Sequence, residues 1–350
     1  MRTKVSLTAD MQTEDGPFMA SGHGCSVVSP GFVNGDDKLA VNGGDTSLDS
    51  SEPCCVNWQE EVRRGGSLRQ VDLDAGVNGW ASPPGPSFQV RSSNYLIKHQ
   101  KCASEECLFE TVGVDWLRSH HKLDHVLSRP DNRVIQALRR CHDHDQGLED
   151  FILAVNLQIP GRDYHHAVFY FVSSDPIPSG SLLYRFIYEE DDDFRNSRFK
   201  LISRIVKGPW IVRATVANHA ACLLGKALVC NYYNGPNYFE IDVDVSTSVL
   251  ANAILHLALG YVSSVTVDMA FLVEAQTEEE LPERILGAVR IAQIEMASAS
   301  LIEQAAGAMR SVSLGPQVAL HESSWKKLSK SFSFLGHGSK AFKGKETDAG

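Results

Sequence analysis

The chain has 350 residues, with 43% hydrophobic and 22% charged side chains, so it can bury a sizeable core without disulfide staples. Its net charge is −10, and residues 311–350 carry an excess of cations. That balance argues against a nucleic-acid groove on the folded part.

The eight cysteines (Cys25, Cys54, Cys55, Cys102, Cys107, Cys141, Cys222 and Cys230) show no framework spacing and no CxxC pair. They read as reduced thiols of a cytoplasmic protein. The first residues lack the apolar stretch of a secretory signal and carry Asp10, Glu14 and Asp15. Arg2 rules out N-myristoylation. The greasiest run, residues 249–262, is interrupted by Asn252 and His256 and is too short to span a bilayer.

In chain order, residues 1–79 are dominated by Gly, Asp, Ser and Asn without sustained periodicity. Such a stretch buries too little apolar surface to offset its ordering entropy, and a disordered arm is expected. Order is expected from Trp80. A Pro-rich turn at 82–87 leads into residues 88–96, followed by short elements at 112–119 and, as a helix, at 133–140. Leu153, Val155, Leu157 and Ile159 alternate with Ala154, Asn156 and Gln158, which predicts a half-buried strand. Residues 167–172 form a continuous apolar run and predict a strand buried on both faces. Residues 182–188 predict another strand.

Residues 226–233 and 237–245 flank Asn234-Gly235, which predicts a hairpin closed by a type I′ turn. On its second strand Phe239, Ile241, Val243 and Val245 face inward, while Glu240, Asp242 and Asp244 face out. Ser246–Ser248 then offers helix-capping hydroxyls and Gly260 a stop. Val249, Leu250, Ala253, Ile254, Leu257 and Ala258 form the inward stripe of the helix between them. Val265, Val267, Met269, Phe271 and Val273 make one more strand. Pro282 fits the first turn of a long helix whose inner face carries Leu281, Ile285, Val289, Ala292 and Met296. The fold class is α+β: a curved, mainly antiparallel sheet with a long C-terminal helix packed on it, spanning residues 80–310.

Several motifs run in sequence: Gly180-Ser-Leu-Leu-Tyr-Arg-Phe186, Phe194-Arg-Asn-Ser-Arg-Phe-Lys-Leu201, Gly208-Pro-Trp-Ile-Val-Arg213 and Leu223-Leu-Gly-Lys-Ala-Leu228. Asn237-Tyr-Phe-Glu-Ile-Asp-Val-Asp244, Val267-Asp-Met-Ala-Phe-Leu-Val-Glu274 and Glu280-Leu-Pro-Glu-Arg-Ile-Leu-Gly287 follow, with Asn94-Tyr-Leu96 and Val155-Asn-Leu-Gln-Ile-Pro160 upstream. From Trp80 to Ala305 this order resembles the C-terminal domain of the plant Enhanced Disease Resistance 2 family. The resemblance implies a domain of unknown biochemical activity in negative control of defence and cell death. Longer members also carry pleckstrin-homology and START domains, for which residues 1–79 are too few and too polar. A general lipid or membrane connection is what the resemblance leaves, and it supplies no catalytic residues.

The remaining clusters each have a simpler structural reading. His120, His121 and His125, and Cys141, His142 and His144, lack the paired spacing of a zinc site and read as surface loops. Glu189–Asp193 lacks EF-hand spacing and reads as a solvated acidic loop. Glu240, Asp242 and Asp244 have no nucleophile beside them and read as the outer face of a strand. His165 and His166 satisfy local hydrogen bonds. No GxSxG, P-loop, complete GxGxxG or HExxH motif is present, and no enzyme activity, cofactor or metal is expected.

The tail is different. Residues 325–345 carry Lys326, Lys327, Lys330, Lys340, Lys343 and Lys345 without an acid, interleaved with Trp325, Leu328, Phe332, Phe334, Leu335 and Phe342. Cations and aromatics in this mixture suit an anionic membrane surface. Trp325 and Phe332 are also spaced as anchors for a partner such as calmodulin. The contact residues expected here are Trp325, Lys326, Lys327, Lys330, Phe332 and Phe334. Ser329, Ser331 and Ser333 could be phosphorylated to switch contact off. Cys54-Cys55 beside Trp58 is a candidate for S-acylation. The function expected is a non-enzymatic lipid- or membrane-associated regulator, cytoplasmic or peripheral at intracellular membranes. The alternative is a protein-interaction scaffold acting through the tail.

Overall fold

The computed structural model describes residues 57–142, 150–217 and 221–303. All of them fall in one unit, and the tail residues from 304 onward, with the Cys54-Cys55 pair, lie outside the described residues.

Two sheets carry the described chain. The first has the order β1-β2-β13-β12-β8-β9, built from β1 (Arg69–Gln70), β2 (Gly79–Ala81), β8 (Phe199–Lys207), β9 (Ala221–Leu223), β12 (Thr266–Val273) and β13 (Ile285–Ala292). The second has the order β10-β11-β6-β7-β5-β14, from β5 (Glu110–Ser119), β6 (Phe151–Ile159), β7 (Tyr164–Ser173), β10 (Val229–Asn234), β11 (Tyr238–Asp244) and β14 (Ser300–Leu301). A short ladder pairs β3 (Gln89–Arg91) with β4 (Lys101–Ala103). Most pairings are antiparallel; β1–β2, β11–β6 and β14–β5 are parallel. The class is α+β, as the residue pattern predicts.

The sheets face one another through aromatic side chains, because each presents an apolar face that must leave water. The Phe271 ring of β12 lies 5.7 Å from that of Phe169 and 6.0 Å from that of Phe171, both on β7. Phe199 of β8 stacks on Phe271 at 6.1 Å. Gly287 of β13 lies against the Phe171 ring, and any Cβ there would collide with it. This close approach is what the position requires of a glycine.

Several expected elements take another form. Residues 57–79, expected within a disordered arm, are ordered. The helix Trp58–Gly65 is capped by Asn57, and Trp58, Val62 and Leu68 are buried. The indole of Trp58 donates to Asp150 at 2.8 Å, tying this helix to the start of β6. One buried face of two turns is too short a signal to separate from a polar arm.

The long C-terminal helix is absent among the described residues, and β13 stands in its place. Every residue of β13 is buried, including Arg290, which is paired with Asp268. Ile285, Val289 and Ala292 fit helical spacing because both faces of the strand are buried and the lone polar residue, Arg290, does not establish a period of two. Residues 182–188 are not a strand either. Ser181 caps a helical turn, Leu182–Tyr184, that continues as the π-helical turn Arg185–Glu189.

The hairpin β10–β11 forms in the expected place, with Asn234 opposite Phe239. Its turn is not type I′, since neither Asn234 nor Gly235 has positive φ. Pro236 follows Gly235 and disfavours helical angles there, so the reversal is made over Gly235–Tyr238 instead.

Removing the Phe271 ring should leave a cavity between the sheets. Phe271→Ala is expected to lower stability by about 3–5 kcal/mol, as read by urea unfolding.

Candidate functional site

Three places in the described chain gather chemistry. The first overturns an expectation. Glu240, Asp242 and Asp244 do not face solvent; Glu240 and Asp242 are fully buried and Asp244 nearly so. What covers them is the segment from Lys122 to Ser128, which crosses this face of the second sheet. Glu240 accepts hydrogen bonds from the Val126 and Leu127 amides at 2.6 and 2.8 Å. Asp242 accepts from the His125 amide at 2.8 Å and from the Asn156 side chain at 2.9 Å. Asp244 takes Lys122 Nζ at 3.1 Å and caps Ser246 through its amide at 2.9 Å.

Further polar groups on this face complete the strap. Asn156 and Gln158 both donate to the Leu123 carbonyl at 3.0 Å. The Leu123 amide donates to His166 Nε2 at 3.3 Å, which leaves the proton on Nδ1, facing Asn156 Oδ1 at 3.2 Å. The expectation that His166 serves local hydrogen bonding therefore holds. Burial pushes its pKa down to about 4, so the ring stays neutral. His125, in left-handed backbone conformation, stacks on Tyr233 at 4.2 Å and meets the Tyr238 hydroxyl at 2.8 Å.

Burial, and then the neighbouring Asp242 charge, pushes the Glu240 carboxyl well up. Asp242 is raised by burial to a smaller extent, held back by the His125 amide and Asn156. The pair keeps a proton on Glu240, donated to Asp242. Every oxygen of the pair is occupied by strap, sheet or partner carboxyl. The arrangement fastens a loop; it leaves no open position for a substrate or ion. Among the described residues no group of His, Cys, Asp and Glu has the makings of a metal site.

The second place is a cleft of about 500 Å³ at the end of the sheets where β7 and β12 finish. Leu108, Phe109, Leu182, Leu183, Val273 and Leu286 line it, with Arg284 and Glu280 among its charged groups. Arg284 is paired with Glu105 at 2.9 Å, and Glu280 with Arg198 at 2.7 Å and Arg185 at 3.2 Å. Beside it Lys200 is clamped by Glu283 and Glu274 at 2.7 and 3.2 Å. These charges neutralise one another.

The third place is at the opposite end. Gly208, at φ 154°, lies against Val265 and Ile205, where a Cβ would crowd both. The chain thereby turns out of β8 through Pro209 into the helix Trp210–Ala217. Trp210 is 78% exposed, and Arg213 and Lys207 are also exposed. Beside it packs the helix Val249–Gly260, capped by the Ser248 hydroxyl as expected. This helix carries no charged side chain and buries none of its residues fully. Leu255 and Leu259 rest on the core, while Val249 is 88% and Leu250 53% exposed.

The inward stripe expected from Val249 and Leu250 is thus turned outward at its start. A helix whose only polar residues are Asn252 and His256 gives little periodic signal of which side faces the core. Val229 and Tyr261 extend the same exposed apolar set. No carboxylate occurs between Asp193 and Glu240, and none between Asp244 and Asp268.

The other sequence candidates are dispersed. His120 meets Asp163 at 3.0 Å on the surface, and His165 stacks on Trp116 at 5.1 Å. Asp191 caps the helix Asp192–Arg198, and Glu190 pairs with Arg185. His144 and the tail residues Trp325, Lys326, Lys327, Lys330, Phe332 and Phe334 lie outside the described residues.

Residues 80–295 match the family profile described as Protein ENHANCED DISEASE RESISTANCE 2, C-terminal. The chain belongs to this family. It is 44% identical over 234 residues to an Arabidopsis thaliana protein named Protein ENHANCED DISEASE RESISTANCE 2-like. The alignment covers 67% of this chain but 31% of that relative, so the chain spans about a third of its length. No solved structure matches the chain.

The family match runs from β2 through β13, so it contains the β11 carboxylates, their strap and both exposed helices of this Enhanced Disease Resistance 2 domain. The raised Glu240 carboxyl has a thermodynamic consequence. The folded state holds a proton there that the unfolded chain releases above its ordinary value of 4.5. Folding stability should therefore fall as pH rises through the window from 4.5 to about 9. Urea unfolding at pH 6 and pH 8.5 should show a smaller loss for Glu240→Gln than for the native chain.

Proposed function

We propose that this chain is a peripheral membrane-associated regulator that meets an anionic lipid surface through the helices Trp210–Ala217 and Val249–Gly260. The observation that carries the reading is that Trp210, Val249 and Leu250, on two helices that pack on each other, are left in water. Isolated exposed apolar residues are ordinary, but several large ones on two helices that pack together favour a partner. A tryptophan and aliphatic side chains beside Lys207 and Arg213 match the chemistry of the headgroup boundary.

Among the described residues no helix is long and apolar enough to cross a membrane, so the contact in this reading is interfacial. The regulatory part of the proposal draws on the name of the Arabidopsis relative, which points to disease resistance. No nucleophile with a base beside it accompanies the polar strap, and the reading assigns the domain no catalysis.

The test is co-flotation of the full chain with vesicles containing phosphatidylserine. Burying a Leu or Val side chain is worth about 1.5–3 kcal/mol, so the Val249→Asp/Leu250→Asp variant should partition at least about tenfold more weakly. Trp210→Ala should weaken it in the same direction. Native-like flotation of the Val249→Asp/Leu250→Asp variant would remove the basis for this assignment.

A further inference from the structure

The cleft where β7 and β12 finish has three properties that its ion pairs do not account for. The first is its lining. Phe109, Val273 and Leu286 form a buried apolar floor, and Leu108, Ile177 and Leu182 stand over it half-buried. The volume of about 500 Å³ falls within the roughly 300–1,000 Å³ typical of small-molecule sites. A ligand that replaces water there removes apolar surface from solvent on itself and on the cleft.

The second is that its walls are already built. One wall is the segment 174–181. Pro176 and Pro178 fix their own φ angles, and Ile177 packs on the core. Ser174 Oγ donates to Asp150, and the Ser181 amide donates to the Pro178 carbonyl at 3.1 Å. The other wall is the turn Glu278–Glu280, closed by a capping box in which the Thr277 and Glu280 side chains accept from each other's amides. A cleft braced in this way needs little further ordering when a ligand enters.

The third is the sign of the charge left over. Arg284 is held by Glu105, and Glu280 by Arg185 and Arg198. Asp175 and Glu279, both exposed, pair with no cation among the described residues. An apolar cleft whose uncommitted charges are two carboxylates attracts a molecule with an apolar body and one cationic end, and repels a fatty acid. We propose that this cleft binds a small amphipathic amine, its hydrocarbon part on Phe109, Leu182 and Leu286 and its ammonium at Asp175 and Glu279. The proposal is independent of the membrane contact at the opposite end of the sheets, and no covalent step accompanies binding.

Isothermal titration calorimetry of the full chain compares three probes that share one hydrocarbon chain, each below its micellar concentration: decylammonium, decanol and decanoate. The expected result is one decylammonium per chain, bound at least about tenfold more tightly than decanol, with decanoate weaker than decanol. Asp175→Asn/Glu279→Gln should bring decylammonium to the level of decanol and leave decanol unchanged. In Asp175→Lys/Glu279→Lys the preference should pass to decanoate. Glu189→Gln/Asp193→Asn removes two exposed carboxylates elsewhere and should bind all three probes as the native chain does. That control separates the cleft from a general attraction of amines to a chain of net charge −10. Bound decylammonium should slow amide exchange in peptides covering Leu182–Tyr184 and Glu278–Glu280. Urea unfolding without probe checks that each variant is folded. Equal native affinity for decylammonium and decanol, native-like selectivity in Asp175→Asn/Glu279→Gln, or the same loss in the Glu189→Gln/Asp193→Asn control overturns the proposal. So does exchange slowed only in Trp210–Ala217 and Val249–Gly260, or no binding of any probe, and none of these outcomes touches vesicle binding by the helix face.

Discussion

The contact of Phe271 with Phe169 and Phe171 fixes how the two sheets lie against each other, and the rest of the domain follows from it. Once those rings and Phe199 fill the space between the sheets, the interior holds packed side chains, and no lipid-sized chamber is needed to explain its apolar residues. The chain's chemistry is displaced to the two ends of the sheets and to the outer face of β6, β7 and β11. At one end lies the cleft lined by Leu182, Phe109 and Leu286, where Glu280 and Arg284 are each held in ion pairs. At the other, the helix Val249–Gly260 rests Leu255 and Leu259 on the core and leaves Val249 and Leu250 outside.

The outer face is closed by polar chemistry. Burying Glu240 and Asp242 is expensive unless both are hydrogen-bonded and one is neutral. The Val126, Leu127 and His125 amides meet the first condition, and the proton retained on Glu240 meets the second. The same bonds position the strap, which also hides His166 and Asn156. A half-satisfied version of this network would cost more than an apolar one, so the strap and the carboxylates depend on each other. Asp244 continues the row to the end of β11, where it caps the turn that aims the exposed helix. Polar closure of the face and placement of the apolar helix are thus parts of one strand.

How much of this can be read in the sequence depends on where the partner of each residue lies. The β10–β11 hairpin is legible because its partners are neighbours and β11 alternates cleanly. The turn inside it is not, because Pro236 imposes a local restriction that the Asn234-Gly235 pair alone does not reveal. The strand β13 is illegible as a strand because both of its faces are buried, so the alternation that marks a strand is missing. The carboxylates of β11 alternate correctly, yet their burial is invisible, since the strap that covers them comes from more than a hundred residues earlier in the chain. The helix Val249–Gly260 is legible in extent and cap but not in orientation. Its lack of any acid, Lys or Arg from Val245 to Val267 is the available sign that one side stays uncovered. Trp58 and Val62 show that a two-turn helix with a single buried edge escapes notice inside a polar stretch.

The surface we propose for membrane contact lies at one end of a tightly filled pair of sheets, with Trp210 and Val249 carried on helices and not on loops. Amide hydrogen exchange of the full chain, followed by mass spectrometry with and without phosphatidylserine vesicles, tests that claim most directly. The account predicts slowed exchange in peptides covering Trp210–Ala217 and Val249–Gly260, with peptides from β3, β4 and the cleft unchanged. Slowing confined to the cleft, or none at either helix while the protein is bound to vesicles, would contradict it.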